Sequence, residues 1–448
     1  MLLPVIIFIV AYAFIALETP LMVDKSATAL LLGVAIWVFY VFGGENILTY
    51  TGFVENYEFY QTIHPDGNFL DFVSHFELVQ HIGRIAEILF FLMGAMTIVE
   101  TIDHHNGFSI ITERITTHSK RRLLWTLTLL TFILSTVLDN LTTTIVMCAI
   151  LRKLMSVRRE RWLFAGIIVI AANAGGALSP IGDVTTIMLW MGGQVTADNL
   201  ILKTFIPCVV SLLVPLTVVS CRMKGEFERP PANHTAESLR PIPPIVKYSV
   251  FILGIGGLLF VPVFKSITNL PPFIGMLCSL AVLWLITARI HYRYSGGSFS
   301  VSTILEKIDS SSILFFLGVL LGMAGLQSMG YLGMFAKGLT HVFADNIYSM
   351  NICIGIISSV IDNVPLVAGA IGMFPLSEYA TDHSFWLFLS YCVGFGGNLL
   401  IISSAAGVAA MGIEKIEFIW YLKRFTPWAL LGFFAGAGTF ILLDVFVF

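Results

Sequence analysis

Ser135-Thr136-Val137-Leu138-Asp139-Asn140-Leu141 recurs 223 positions later as Ser358-Ser359-Val360-Ile361-Asp362-Asn363-Val364. Each copy sets an Asp-Asn pair in the middle of an apolar stretch. A carboxylate in hydrocarbon is expensive, so it is rare there and marks a functional position. Two of them at matching places in two halves point to a membrane transporter built from an internal duplication.

Two further matches follow the same order. Ile88-Leu89-Phe90-Phe91-Leu92 recurs as Ile313-Leu314-Phe315-Phe316-Leu317, and Gly175-Gly176-Ala177-Leu178 resembles Gly396-Gly397-Asn398-Leu399. The offsets are 225 and 221. Three matches in one order at nearly constant spacing exceed what chance gives between apolar segments.

Composition sets the phase. Of 448 residues 57% are hydrophobic and 12% charged, where a soluble domain carries about 25% charged. Runs such as Leu2 to Leu17 and Ala27 to Phe42 approach the roughly 20 residues that span a bilayer. The expected class is therefore an all-α polytopic membrane protein. The first run lacks a basic flank and a small-residue cleavage site, so it reads as a retained helix. Cys148, Cys208, Cys221, Cys278, Cys353 and Cys392 form no C-x-x-C pair and read as small core residues.

Expected spans are 2–17, 27–43 and 78–102, with a polar loop at 44–77. They continue at 121–155 (first Asp-Asn), 161–190 (broken by Gly175, Gly176, Pro180 and Gly182) and 200–221. The second half gives 246–264, 271–290, 310–330, 346–377 (second Asp-Asn), 384–412 (again Gly-broken) and 425–446. Lys120, Arg121 and Arg122 precede the first Asp-Asn segment, and Arg152, Lys153, Arg158, Arg159 and Arg161 follow it. A crossing would put one basic cluster outside, against the positive-inside tendency. A re-entrant hairpin keeps both inside.

The expected architecture is two inverted-topology repeats, each with five transmembrane helices and one re-entrant helical hairpin. Residues 1–221 form the first, with hairpin 121–155 and broken helix 161–190. Residues 245–448 form the second, with hairpin 346–377 and broken helix 384–412. The hydrophilic segment 222–244 is a cytoplasmic linker, and both termini are expected on the extracytoplasmic side. Of the 25 Lys and Arg, only Lys203, Lys265 and Lys337 then fall outside. Arg84 lies within a span.

The chemistry is expected at the hairpin tips, where backbone is unpaired and survives only when buried in protein or lining a wet cavity. The tips hold Asp139, Asn140, Asp362 and Asn363, with Ser135 and Ser358 just before them. The broken helices add Asn173, Ser179, Asp183, Thr185 and Thr186 in the first half, and Asn398, Ser403 and Ser404 in the second. Carboxylate, amide and hydroxyl oxygens suit a hard cation and not a thiophilic metal. A desolvated carboxylate holds a proton, and a bound Na⁺ or Li⁺ stabilises its ionised form. Proton and cation therefore compete, which is the minimum machinery of exchange. Asp183 could equally cap the helix after its break, and the Ser and Thr hydroxyls could bond back to their own helices. His81, Arg84 and Glu87 lie three apart on one helix side and read either as a proton route or pH sensor, or as a buried ion pair beside an interfacial His.

These motifs resemble a family. The paired D-N hairpins, the G-G-A-L-S-P-I-G-D-V-T-T run at 175–186 and G-G-N-L at 396–399 look like the NhaD-type sodium/proton antiporters of the ion-transporter superfamily. The resemblance covers nearly the whole chain. It implies the inverted-repeat fold shared with dicarboxylate transporters, Na⁺(Li⁺)/H⁺ exchange without a cofactor, an inner-membrane location serving pH homeostasis, and a homodimer with elevator-like motion. It places functional residues at Ser135, Asp139, Asn140, Asn173, Asp183, Thr185, Thr186, Ser358, Asp362 and Asn363. An anion carrier of the same fold is the nearest alternative. An intramembrane aspartyl protease is remote, because Ser179-Pro180-Ile181-Gly182-Asp183 lacks the first glycine of the G-x-G-D motif such proteases carry.

Overall fold

The computed structural model describes residues 2–16, 24–112, 115, 117–223, 225–227, 243–295, 301–401 and 403–447. Among them it is helical throughout, the one isolated β-bridge joining Ser119 to Glu226. Eight described helices are long and apolar enough to cross a membrane. The chain is a multi-pass helical membrane protein. Most of the expected linker 222–244 lies outside the described residues.

The sequence forms two compact units that do not follow its two halves. One comprises Met1–Phe90, Asp309–Met350 and Val364–Ala380; the other comprises Phe91–Ile308, Asn351–Asn363 and Thr381–Phe448. Each draws on both halves.

In the first unit, Lys25–Gly43 packs along Ser310–Ser328. Gly318, Gly322 and Gly325 face Ala29, Leu32, Gly33 and Ile36, and a Cβ on Gly318 would strike the Ala29 backbone. Small residues at such spacing let transmembrane helices approach closely. The approach is fixed by polar groups: the Trp37 indole donates to Leu321 O (2.9 Å) and the Ser26 hydroxyl to Ser311 O (2.8 Å).

The stretch 44–77 is not the expected loop. It folds as Glu45–Thr51, Glu55–Ile63 and Phe69–Asp71, then a π-helical turn Phe72–Glu77 running into Leu78–His104. Tyr57, Tyr60, Phe69, Phe72 and Phe76 pack ring against ring there. Aromatic burial holds a segment whose acidic residues suggested solvent. The helix Tyr331–Phe343 was also unforeseen; it is amphipathic, so no continuous apolar run announces it.

In the second unit the core is Arg158–Leu178, in which every residue from Phe164 to Leu178 is buried. A helix apolar all round must be covered on all sides. It packs against Lys120–Ser135, Asn140–Leu154, Ala197–Arg222, Ser384–Gly396 and Ala405–Glu414. The stretch holding the first Asp-Asn is two helices, Lys120–Ser135 and Asn140–Leu154, parted at 136–139. Lys120 begins that pair, and its ammonium lies 2.6 Å from the carboxylate of Glu160, just past the pair's end. The 161–190 stretch is likewise broken into Arg158–Leu178 and Val184–Met191, and 384–412 into Ser384–Gly396 and Ala405–Glu414.

Candidate functional site

Four helix starts in or at the second unit carry the expected residues. Asp139 stands before Asn140–Leu154, Asp183 before Val184–Met191, Asp362 before Asn363–Met373, and Ser404 before Ala405–Glu414. Each helix start leaves N–H groups without intrahelical partners, and a short oxygen side chain satisfies one. The Asp139 carboxylate accepts from Thr142 N (2.8 Å) and from the Thr142 hydroxyl (2.5 Å). Asp183 accepts from Thr185 N (3.1 Å) and closes a capping box with Thr186. Ser404 accepts from Gly407 N (3.1 Å).

The two copies repeat their contacts as well as their letters. The Ser135 hydroxyl donates to Ala172 O (2.6 Å), and the Ser358 hydroxyl to Val393 O (3.0 Å). Gly175 approaches Phe132 O so closely that a Cβ would strike it, and Gly396 does the same at Gly355 O. Serine and glycine thus dock the end of each Asp-Asn helix onto the broken helix that follows.

A hydrogen-bonded chain then joins the halves. Asn140 Nδ2 donates to Asp183 Oδ2 (2.9 Å) and to Asn173 Oδ1 (3.0 Å). Asn173 Nδ2 donates to Asn398 Oδ1 (2.8 Å) and to the Ser404 hydroxyl (3.0 Å). Every member is buried. Asp139 and Asp362 are partly accessible, and both lie within electrostatic range of Asp183. Ser358 also donates to Asn363 Oδ1 (2.6 Å). Asn398 Nδ2 is buried without a hydrogen-bond partner, and Thr185 lies against the Asp183 carboxylate.

Asn140, Asn173, Asp183, Asn398 and Ser404 therefore come together, and Asp139 and Asp362 lie within electrostatic range of Asp183. Ser179 and Ser403 sit at the margins: Ile181 N reaches the Ser179 hydroxyl at 3.4 Å, and the Ser403 hydroxyl donates to Leu400 O (2.9 Å) and Gly397 O (3.1 Å). His81, Arg84 and Glu87 belong to the other unit. His81 meets the Ser328 hydroxyl (2.9 Å) and Glu77 (3.6 Å), and Ser328 donates to Glu77 (2.6 Å). Arg84 is exposed.

Sequence reasoning passed over three features. Thr142, Thr143 and Thr144 follow the first Asp-Asn directly; Thr143 and Thr144 carry buried unpartnered hydroxyls. Glu77 is buried with Ser328 as donor. Glu414 is wholly buried between Arg152 (2.9 Å) and Arg161 (2.8 Å), while Trp162 and Arg158 donate to its carbonyl. A Thr-Thr-Thr run beside a carboxylate in an apolar stretch was a readable signal. Glu77 and Glu414 gave none, since Ser328 lies 251 residues from Glu77 and Arg152 and Arg161 lie 262 and 253 residues from Glu414.

This donor set is made of hard oxygens, and among the described residues no three His, Cys, Asp or Glu gather as a transition-metal cluster. Comparison with known proteins agrees in kind. A family described as citrate transporter matches residues 12–394. Sodium/proton antiporter 2 of Arabidopsis thaliana is 40% identical over 450 residues, 98% of this chain and 99% of its own length. Sodium/proton antiporter 1 of the same plant is 40% identical over 439 residues, 97% of this chain and 71% of its own. The Na(+)/H(+) antiporter NhaD of Alkalimonas amylolytica is 29% identical over 473 residues, 99% and 90%. The chain belongs to the citrate transporter family, on the side of its sodium/proton antiporter members, and is a membrane transporter and not an enzyme.

Proposed function

We propose that the protein exchanges Na⁺ or Li⁺ for H⁺ across the membrane, by competition of the two for mid-membrane carboxylates. The observation that supports this reading is the buried chain of Asn140, Asp183, Asn173, Asn398 and Ser404 that joins the two halves, with Asp139 and Asp362 within electrostatic range of Asp183. Neighbouring carboxylates cannot all ionise in a low dielectric unless a cation or a proton joins them. The cation and proton ligands are Asp139, Asn140, Asp362, Asn363, Asp183, Asn173, Thr185 and Thr186, with Ser135 and Ser358 positioning the tips. Ser179, Asn398, Ser403 and Ser404 extend the set.

The Asp-Asn segments are re-entrant hairpins in two inverted repeats, 1–221 and 245–448, joined by a cytoplasmic linker. The Lys120–Glu160 pair supports the hairpin, because it brings the start of the segment beside its end. Access alternates in an elevator-like manner, in a homodimer of the inner membrane. His81, with Glu77 and Ser328, supplies a proton route or pH sensor to which Glu87 and Arg84 belong.

An anion carrier of this fold is the competing reading, and the family's description names citrate. The geometry favours the cation. Both first-half helix starts that could receive an anion are already capped by their own carboxylates, Asp139 and Asp183. The test is a pH-sensitive dye in proteoliposomes. Na⁺ is expected to move protons and citrate to leave the gradient unchanged; the reverse result assigns the anion reading.

A further inference from the structure

Two short helices start at the buried chain and end away from it. Val184–Met191 starts at Asp183, and Ala405–Glu414 starts at Ser404. Asp183 and Ser404 are both members of the chain. The far end of a helix leaves its last carbonyls without intrahelical donors and carries partial negative charge, so basic side chains suit it. At both far ends the basic side chain comes from the other half of the sequence.

Ala405–Glu414 ends under first-half groups. Arg152 donates to Ile413 O, Arg158 to Glu414 O (3.3 Å) and Lys415 O (3.2 Å), and the Trp162 indole to Glu414 O (3.0 Å). Val184–Met191 ends under Lys265. Its ammonium donates to Trp190 O (3.1 Å) and lies over the Trp190 ring, 4.5 Å from the centroid. Lys265 is half-buried near the end of the apolar helix Pro244–Thr268. A charge in such a place needs compensation, and here a helix end and an indole face supply it. Two guanidiniums and an indole grip the second helix, where one ammonium grips the first. Val184 to Trp190 are all buried, and Asp183 lies about 10 Å from Trp190 along the helix axis. So tightly packed a helix passes a displacement at Trp190 on to Asp183. The turn beyond is tied separately: Thr381 donates to Gly193 O (2.7 Å) and Asp382 N to Gln194 O (2.8 Å). Loss of the ammonium therefore relaxes the helix end without releasing the chain.

Resting on the exchange reading above, we propose that Lys265 is a positioning residue for the transported cation: its ammonium, held against Trp190, sets through Val184–Met191 where Asp183 meets the ion. Position and charge act in opposite directions here. A positive charge at the far end of the helix repels a cation at Asp183, so removing that charge alone strengthens Na⁺ binding. Releasing the helix end misplaces an ion ligand, and a shift of about 1 Å can cost on the order of 10²-fold. The direction of the change therefore separates the two effects.

The experiment is Na⁺-dependent proton movement by the full-length protein in proteoliposomes, normalised to folded transporter. Lys265→Met keeps the apolar stem and drops the charge. It is expected to raise the Na⁺ concentration for half-maximal exchange about fivefold, with the maximal rate changed by less than about twofold. Lys265→Gln, which drops the charge and falls short of the Trp190 carbonyl, is expected to move it the same way and serves if Lys265→Met does not fold. Lys265→Arg keeps the charge, a donor and the ring contact, and is expected to stay within about twofold of the wild type. A fall in the half-maximal concentration would show a charge effect alone, and an unchanged value with a lower rate a structural one. Either overturns the proposal, as does a Lys265→Arg protein that behaves like Lys265→Met. A wild-type protein that moves no protons with Na⁺ overturns the exchange reading instead, and the proposal falls with it.

Discussion

At the scale of single residues, the decisive side chains are those whose removal changes charge or connectivity without emptying the core. Asp139→Asn and Asp362→Asn keep shape and remove a titrating oxygen. Each is expected to abolish Na⁺-driven proton movement while the protein still reaches the membrane, as dye dequenching and membrane blotting would report. Asn173→Ala cuts the chain between Asn140 on one side and Asn398 and Ser404 on the other. It leaves buried amides unpaired, so about 1–3 kcal/mol of stability should go with it, read as a lower unfolding temperature in detergent. Ser135→Ala loses one bond to Ala172 O, and about 1 kcal/mol is the expected effect. The Asp-Asn motifs were legible because carboxylates in apolar runs stand out. Glu77 and Glu414 were not, because a glutamate beside polar or basic neighbours looks like a solvated face until distant residues close over it.

At the scale of elements, the breaks in the helices were legible from Gly175, Gly176, Pro180 and Gly182, and their boundaries came out within a few residues. What the glycines are for was not. Gly175 and Gly396 admit carbonyls of the preceding Asp-Asn helices at distances no Cβ allows. Gly396→Ala should therefore separate Ile347–Ile357 from Ser384–Gly396 and leave little monodisperse protein on size-exclusion chromatography. Glu414 ties the far ends of two site helices: Arg152 ends Asn140–Leu154, and Glu414 itself ends Ala405–Glu414. Arg161, at the start of the central helix, completes the clamp. Glu414→Ala leaves Arg161 largely buried beside no carboxylate, and a loss of roughly 3–5 kcal/mol is expected for breaking such a buried pair. Glu414→Asp should recover part of it. The amphipathic helix Tyr331–Phe343 and the short helices of 44–77 escaped sequence reading, because apolar run length finds spans and little else.

At the scale of the whole molecule, the class was legible from composition, and the grouping of segments was not. The two compact units are assembled from three stretches each, and Leu78–His104 is shared between them at Phe90 and Phe91. No local pattern encodes such an interleaving; it follows from which buried faces match. Asn140, Asn173, Asp183, Asn398 and Ser404 nonetheless meet in one unit, where the same serine and glycine contacts are made twice. The central claim is that a proton and a small alkali cation compete for those carboxylates. Its most direct measurement is the apparent Na⁺ affinity of exchange in proteoliposomes, taken from about pH 6 to about pH 9. Protons occupy carboxylates more as pH falls, so the Na⁺ concentration for half-maximal exchange should rise steeply toward the acid end while the maximal rate changes far less. A Na⁺ requirement that stays flat across that range would contradict the account.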